Sequence, residues 1–266
     1  MPNPPWRSFE PELLNPASLA ALFANEIPAI RIPSFCTAAE CAAFERAIDV
    51  AIAHGAMKHY SFEPPLGYIG MTQFEYRHKP KQAYFADVAE SSRRQHIVLD
   101  RSFDAVGRIL EMIEANCDGR VALAQEPDGM YFAGNIRDSS QGAALHADFA
   151  PYSAPGYLIG DVVEQVSWNL FVSVPEVGGR TTVYNTFWQA DVTPGQVVEN
   201  QPGSFAWDKV EGAQRFVYQP RPGEAVIFNS RNLHIFEGGK ADSRRRRLQI
   251  NAFLGKLPGG DLVMWS

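Results

Sequence analysis

His146-Ala147-Asp148 sets an imidazole and a carboxylate two residues apart, and on an extended strand such residues project from the same face. With six histidines and 30 acidic residues, fewer than one His-x-acid pair is expected by chance. Alone, the pair therefore reads equally as a surface pair or a satisfied core histidine. A further imidazole, His234, follows an apolar run at 225–228 and the segment Asn229-Ser-Arg-Asn-Leu. Two neutral imidazoles and one carboxylate on one face form a donor set for Fe(II) with positions left open, or for zinc. His54, His59, His78 and His96 have no comparable context and read as ordinary residues, His59 and His78 being the nearer exceptions because they flank a Gly-, Pro- and aromatic-rich stretch. Arginines carry the remaining chemistry. Arg244-Arg245-Arg246-Arg247 would ordinarily be a solvated charge run, but here it enters an apolar strand. Arg137, nine residues before His146, reads either as a salt-bridged surface residue or as a carboxylate binder.

The elements that must position these residues change character along the chain. Asn15-Pro16 reads as an N-cap followed by proline at the first helical position. Thr37-Ala-Ala-Glu40 is a capping box that starts a helix ending at Gly55. Cys36 and Cys41 occupy the staple positions around that start, so packing accounts for them better than metal or redox chemistry. Residues 56–80 predict a strand and irregular loop, and Ser102 a cap for a further helix ending by Gly119. From about residue 121 short β-branched and aromatic runs alternate with turn signals: 130–137, 167–174, 181–185, 225–229 and 248–254. The breakers are Gly178-Gly179, Pro194-Gly195, Pro202-Gly203 and Pro222-Gly223. Such spacing predicts an antiparallel sandwich or barrel.

Composition narrows the function classes. The 266 residues are 45% hydrophobic and 20% charged, enough for a large core in one domain spanning 1–266. A net charge of −6 removes bulk attraction to nucleic acid and anionic membranes. Three cysteines are too few and too odd in number for a disulfide framework. Neither a signal-peptide stretch nor a transmembrane run is present, so the expectation is a cytoplasmic protein. Nothing in the sequence sets the oligomeric state.

The order of these features resembles the Fe(II)/2-oxoglutarate-dependent dioxygenases. The resemblance rests on His146-Ala-Asp148, the Gly178-Gly179 turn, Pro222-Gly223-Glu224, His234 and the arginines entering 248–254. It covers 121–255, with a further likeness at Pro33-Ser-Phe-Cys-Thr-Ala-Ala-Glu-Cys41. It implies a mainly β fold with flanking helices: a double-stranded β-helix (jelly roll, cupin-like) over 121–255, with 1–120 as helical and loop elements packed on it. It implies Fe(II) held by His146, Asp148 and His234, and 2-oxoglutarate as cosubstrate, chelating through its keto and C1 carboxylate oxygens. An arginine fork would hold the distal carboxylate. Arg247 fits the family's Arg-x-Ser pattern best, although Gln249 stands for the Ser, and Arg245 is the same-facing alternative. Arg137 would be a second carboxylate-binding arginine, for cosubstrate or for an acidic substrate.

The implied activity is hydroxylation of an unactivated C–H bond in a small molecule (an amino acid, N-acyl amino acid or natural product), with 2-oxoglutarate and O2 converted to succinate and CO2. Length and histidine spacing are similar to the free-standing N-acyl amino acid hydroxylases and alkaloid halogenases. In the halogenases the position of Asp148 is Gly or Ala, which leaves room for chloride. The competing readings are desaturation or cyclisation at the same iron, a zinc hydrolase, and a non-catalytic jelly-roll binding module. Met130, Tyr131, Phe132, Phe149, Tyr152, Trp168 and Phe228 would line or back the cavity, and 56–80 would gate it.

Overall fold

The computed structural model describes residues 3–60, 65–188, 205 and 207–266. Its first third follows the caps written in the sequence. After β1 (Glu12–Leu13), the Asn15 side chain accepts the Ser18 N–H at 3.0 Å and starts α1 (Pro16–Phe23). Beyond β2 (Ile30–Ile32), Thr37 and Glu40 exchange hydrogen bonds of 3.1 and 2.8 Å and start α2 (Ala38–Ala53). Cys36 and Cys41 are buried on either side of that cap, their sulfurs 3.4 Å apart.

The stretch 56–80 holds β3 (Lys58–His59) and β4 (Gly67–Ile69), while 61–64, at the centre of the expected gating loop, lie outside the described residues. Next comes α3 (Lys81–Leu99), which the apolar spacing does not predict. It buries only Tyr84, Ser91, Gln95 and Val98, too sparse a stripe to read from sequence. The helix expected from Ser102 starts after Asp104 instead. That carboxylate accepts the Gly107 N–H at 2.8 Å and caps α4 (Ala105–Glu114).

The β body follows: β5 (Val121–Leu123), the hairpin β6 (Gln125–Glu126) and β7 (Gly129–Met130), β8 (Asn135–Asp138), β9 (Gly142–His146), the single turn α5 (Ala150–Ser153), β10 (Glu164–Ser173) and β11 (Thr181–Phe187). It closes with β12 (Arg215–Tyr218), β13 (Ala225–Asn229), β14 (Asn232–Glu237), β15 (Leu248–Lys256) and β16 (Leu262–Trp265). Two sheets face each other. Among the described residues the larger runs β1-β2-β13-β10-β15-β8-β4-β3, with β16 added to β15 and β5 to β16. The smaller runs β12-β11-β14-β9. This is the jelly roll. The division into helical 1–120 and stranded 121–255 is too sharp, because the large sheet recruits β1 to β4 from the first third and β16 from the end. Strands of two or three residues carry no period that a sequence can display. The Pro194-Gly195 and Pro202-Gly203 breakers lie outside the described residues.

Strand β10 shows how the two faces divide. Val166, Trp168, Leu170 and Val172 are buried in one core with Leu22 of α1 and Phe44 and Ile48 of α2. Each such aliphatic or aromatic side chain contributes about 1.5–3 kcal/mol by leaving water. Phe171, on the other face, packs against Val183, Phe216 and Tyr218 of the small sheet, so that face looks between the sheets. Its other members, Gln165, Ser167 and Asn169, are buried polar groups. A core built for stability alone would not carry them. Among the described residues no helix is long and apolar enough to cross a membrane.

Candidate active site

His146 ends β9 and stands opposite His234 of β14 in the antiparallel pair, so the two rings share one face with centroids 4.2 Å apart. Asp148 lies two residues past the strand end, where its peptide is held from both sides. Its N–H donates to Ser230 O at 2.8 Å, and its carbonyl accepts from Gln165 Nε2 and Ser230 Oγ, each at 3.1 Å. The Asp148 carboxylate then reaches 3.5 Å from His234 Nε2 and 3.9 Å from His146 Nε2.

Each imidazole is oriented from behind. His146 Nδ1 is 2.7 Å from Ala144 O and His234 Nδ1 is 2.8 Å from Asn232 O. Carbonyls only accept, so Nδ1 carries the proton in both rings and the Nε2 lone pairs point to the carboxylate. Burial pushes the His146 pKa down to about 4, with His234 adding to the effect. Burial pushes Asp148 the other way, but the nearby His234, His146 and Arg137 outweigh it and hold the carboxyl below its ordinary range. The site therefore offers two imidazole Nε2 atoms and a carboxylate. Their donor atoms all lie within 4.8 Å of one another. Cis ligands about 2.1 Å from one divalent ion would stand roughly 3 Å apart, so the set fits a single metal after small adjustments. The same three donors on one side leave the opposite side open, as non-haem iron requires. His54, His59, His78 and His96 lie outside this cluster.

The arginines separate by burial. Arg247 is 1% exposed. It donates to Ser139 Oγ (2.7 Å), Thr181 Oγ1 (2.9 Å), Gln249 Oε1 (2.5 Å) and Gly179 O (3.3 Å). Its guanidinium lies 4.9 and 4.6 Å from the Phe171 and Phe236 ring centres. Gly178 and Gly179, at φ +84° and +75°, make this possible. A Cβ on Gly178 would come within 2.5 Å of Gly238 O, so the turn closes tightly enough to aim Gly179 O at Arg247. Burial lowers the Arg247 pKa to about 10, so it stays charged at neutral pH. No carboxylate among the described residues pairs with it.

Arg245, the expected alternative, is exposed, and the structure does not bring it to the cavity. A register of two residues separates a fully sheltered guanidinium from one at the surface because the strand proper begins at Leu248. Arg137 sits on β8 opposite Gln249 of β15 and Tyr68 of β4. Its neighbour Ile136 belongs to the helix-side core, so Arg137 faces between the sheets. Its charge is felt by His146, Asp148 and Arg247. With the Asn135 amide turned to satisfy both its ends, Arg137 Nε donates to that oxygen at 3.2 Å. The surface salt bridge is not found among the described residues.

The aromatic expectations divide. Phe228 meets the cluster, edge-on to His234 at 4.9 Å. Trp168 does not line the cavity: it packs in the helix-side core against Phe35 at 5.7 Å, the parity of β10 turning it away. Tyr131 and Phe132 are buried in an aromatic cluster with Tyr84 and Tyr157. Met130 and Tyr152 are 48% and 39% exposed, and Phe149 stacks on Arg231 at 4.2 Å. Sequence reasoning missed Ser139, Thr181 and Gln165. Thr181 alone had a signal, its place just after the Gly-Gly turn.

Comparison with known proteins agrees with this geometry. The family model described as carrier-protein-independent halogenase WelO5 matches residues 11–257. Leucinostatins biosynthesis cluster protein S of Purpureocillium lilacinum is 30% identical over 212 residues, covering 76% of this chain and 86% of that protein. L-gamma-glutamyl-L-propargylglycine hydroxylase of Streptantibioticus cattleyicolor is 29% identical over 208 residues, covering 76% and 75%. In fold the chain is similar to an N-substituted L-amino acid dioxygenase from Burkholderia ambifaria, with a TM-score of 0.61, 16% identity and coverage of 94% and 91%. It is also similar to the epimerase SnoN in complex with Fe3+ and alpha-ketoglutarate, with a TM-score of 0.55, 18% identity and coverage of 90% and 84%. The chain belongs to the carrier-protein-independent halogenase WelO5 family and is an Fe(II)/2-oxoglutarate-dependent oxygenase.

Proposed function

We propose that the protein hydroxylates an unactivated C–H bond of a small, amino-acid-derived molecule. The substrate C–H, 2-oxoglutarate and O2 become the C–OH product, succinate and CO2. The observation that carries this reading is Asp148, a carboxylate 3.5 Å from His234 Nε2 at the position where halide-transferring relatives need a small residue. The amino-acid character is supported by the two relatives named for a glutamyl-amino acid and for N-substituted L-amino acids.

In this reading His146, Asp148 and His234 hold the iron. When bound, the metal supplies the oxidising chemistry with O2 and 2-oxoglutarate. The chain supplies position. The Ala144 and Asn232 carbonyls keep the Nε2 lone pairs aimed at the metal, and Ser230 and Gln165 pin the Asp148 peptide. Arg247 takes the distal carboxylate of 2-oxoglutarate with its one uncommitted N–H and a second that it releases from a protein oxygen, Thr181 and Ser139 placing the guanidinium. Phe228 shields His234 from water. The Asp148 carboxylate occupies the place chloride would need and brings the negative charge chloride would bring.

The test is aerobic turnover by the iron-loaded protein across amino acids, N-acylated amino acids and alkaloids at high chloride. The expected result is succinate matched by a product one oxygen atom heavier, with neither in His234→Ala. Desaturated or cyclised products would move the outcome within the same chemistry. A chlorinated product from the unaltered enzyme, or turnover independent of 2-oxoglutarate, would overturn the reading.

A further inference from the structure

His234 sits where main-chain pairing gives out. On one side of β14 the neighbouring strand β9 ends at His146, directly opposite His234. On the other side the ladder with β11 slips. Val183 pairs with His234 and Phe187 with Asn232, so residues 184–186 of β11 stand against Leu233 alone. An irregularity of this kind interrupts the ladder hydrogen bonds and bends the strand. Asn232, whose carbonyl lies 2.8 Å from His234 Nδ1, is at the edge of that break, where side chains take over from the ladder.

Those side chains are amides, and one of them comes from the first residues of the chain. Asn232 Nδ2 donates to Asn25 Oδ1 at 2.6 Å, and Asn232 Oδ1 accepts from Asn3 Nδ2 at 3.2 Å. Among the described residues Asn3 is the one donor to that oxygen. Asn3 Nδ2 also donates at 3.1 Å to Asn185 Oδ1, on β11 inside the slipped segment, and Asn25 Nδ2 donates to the same oxygen at 2.9 Å. Asn25, Asn185 and Asn232 are 7%, 5% and 0% exposed. In such a setting an acceptor that loses its donor is costly.

A second set of contacts fixes Asn3 in this place. Residues 3–6 form no helix or strand. Yet Pro4 O accepts from Asn185 Nδ2 and the Trp6 N–H donates to Gln214 Oε1, each at 2.8 Å. Trp6 Nε1 reaches Asn25 Oδ1 at 3.4 Å. The Trp6 side chain is buried in the cluster between the sheets that also holds Phe228 and Phe171. Phe228 is the ring edge-on to His234, and Phe171 lies against the Arg247 guanidinium. Residues 3–6 are thus a strap laid behind His234 and pinned between the sheets by its tryptophan.

We propose that Asn3 is a positioning residue for the metal centre. Through Asn232 it fixes the ring of His234, although 229 residues separate Asn3 from Asn232. This rests on the reading of His234 as an iron ligand and adds a residue that reaches the metal through two others.

The experiment titrates Co(II), as a probe of the Fe(II) site, into the metal-free protein and into Asn3→Ala, Asn3→Asp, Arg108→Ala and His234→Ala. Affinity and the visible ligand-field bands are read from the titration, and thermal unfolding is recorded for each metal-free variant. A group bonded directly to a metal-bound histidine is worth about 10- to 100-fold in metal affinity. Asn3 acts one hydrogen bond further out, so Asn3→Ala should weaken Co(II) binding by about 3- to 10-fold and shift the bands. Asn3→Asp keeps the shape but turns a carboxylate toward two amide oxygens, and should lose at least as much. Arg108→Ala breaks the Glu40 contact at the α2 cap, so it should lower thermal stability and leave both Co(II) readouts at the parent values. Both Asn3 variants binding Co(II) within about twofold of the parent with unchanged bands would overturn the inference. So would an Arg108→Ala protein that matches their loss, because stability alone would then explain it. His234→Ala should lose tight Co(II) binding. If it keeps parent affinity, the ligand assignment fails and takes the role of Asn3 with it; if it loses affinity while the Asn3 variants do not, only the role of Asn3 fails.

Discussion

Replacing Arg247 by Met should disarm the cosubstrate pocket without unfolding the protein. The parent side chain is a buried cation with four neutral oxygens around it and no carboxylate partner among the described residues. Burial has already pulled its pKa down to about 10, a sign that the fold bears a desolvation cost there. Met keeps the length and removes the charge. The fold then loses hydrogen bonds worth about 1 kcal/mol each but is relieved of an unpaired buried ion, and these opposing effects leave stability little changed. Binding has no such compensation. Losing a bidentate charged contact costs about 2–5 kcal/mol, or roughly 30- to 4,000-fold in the Kd for 2-oxoglutarate. Arg247→Lys keeps the charge but not the fork, and should fall between parent and Met. The assay is the thermal upshift of the metal-loaded, anaerobic protein. A ligand at 100 times its parent Kd stabilises by about 2.7 kcal/mol; at that concentration a Met variant weakened about 30-fold keeps about 0.9 kcal/mol, and one weakened about 4,000-fold keeps essentially none. A folded Arg247→Met protein that binds 2-oxoglutarate within threefold of the parent would refute the assignment and send the search for the clamp elsewhere.

Two further outcomes follow from the frame around the site. Glu40 is held at a pKa of about 2, against an ordinary 4.5, chiefly by its hydrogen bond from Arg108 and then by the Thr37 N–H. A depressed carboxyl pKa contributes stability that is whole above about 4.5 and is lost as pH falls toward 2. The stability gap between parent and Arg108→Ala, on the order of 1 kcal/mol for a partly exposed pair, should therefore close over that window in acid titrations followed by circular dichroism. A gap that does not vary with pH would count against it. Asn25, at φ +58°, accepts from Asn232 Nδ2 at 2.6 Å and donates to Asn185 Oδ1 at 2.9 Å, in a buried amide chain behind His234. Since the Asn232 carbonyl orients His234, Asn25→Ala should cost about 1–3 kcal/mol in denaturation and also weaken metal binding in titration. Lost stability with unchanged metal affinity would separate the amide chain from the ligand.

Some of this architecture is legible one segment at a time. The Thr37–Glu40 box and the Asn15 cap are hydrogen bonds within four residues, so their residue types announce them. The His146-x-Asp148 spacing, the Gly178-Gly179 turn and the 248–254 run are equally local, and the order of such features is what points to the iron oxygenase fold. By contrast, α3 is invisible because its four buried side chains are chosen by distant partners, such as the Tyr131 ring against Tyr84 and the Ala133 carbonyl that accepts from Gln95, not by its own period. Trp168 misleads for a related reason: strand parity says which residues share a face, but only the opposing layer says which face is the cavity and which is the core. The four consecutive arginines are the clearest case. As a sequence they are one charge run, in which Arg245 and Arg247 have equal claim. Only the pairing of β15 with β8 and the closure of the Gly-Gly turn bury Arg247 and leave Arg245 in water. The same holds for the metal donors, since His146 and His234 meet through a β9–β14 register that no local spacing encodes. Residue types and short-range spacing thus set the available chemistry, because local hydrogen bonds and strand parity act within a few residues. Convergence of donors and burial of charge arise only where distant strands pair.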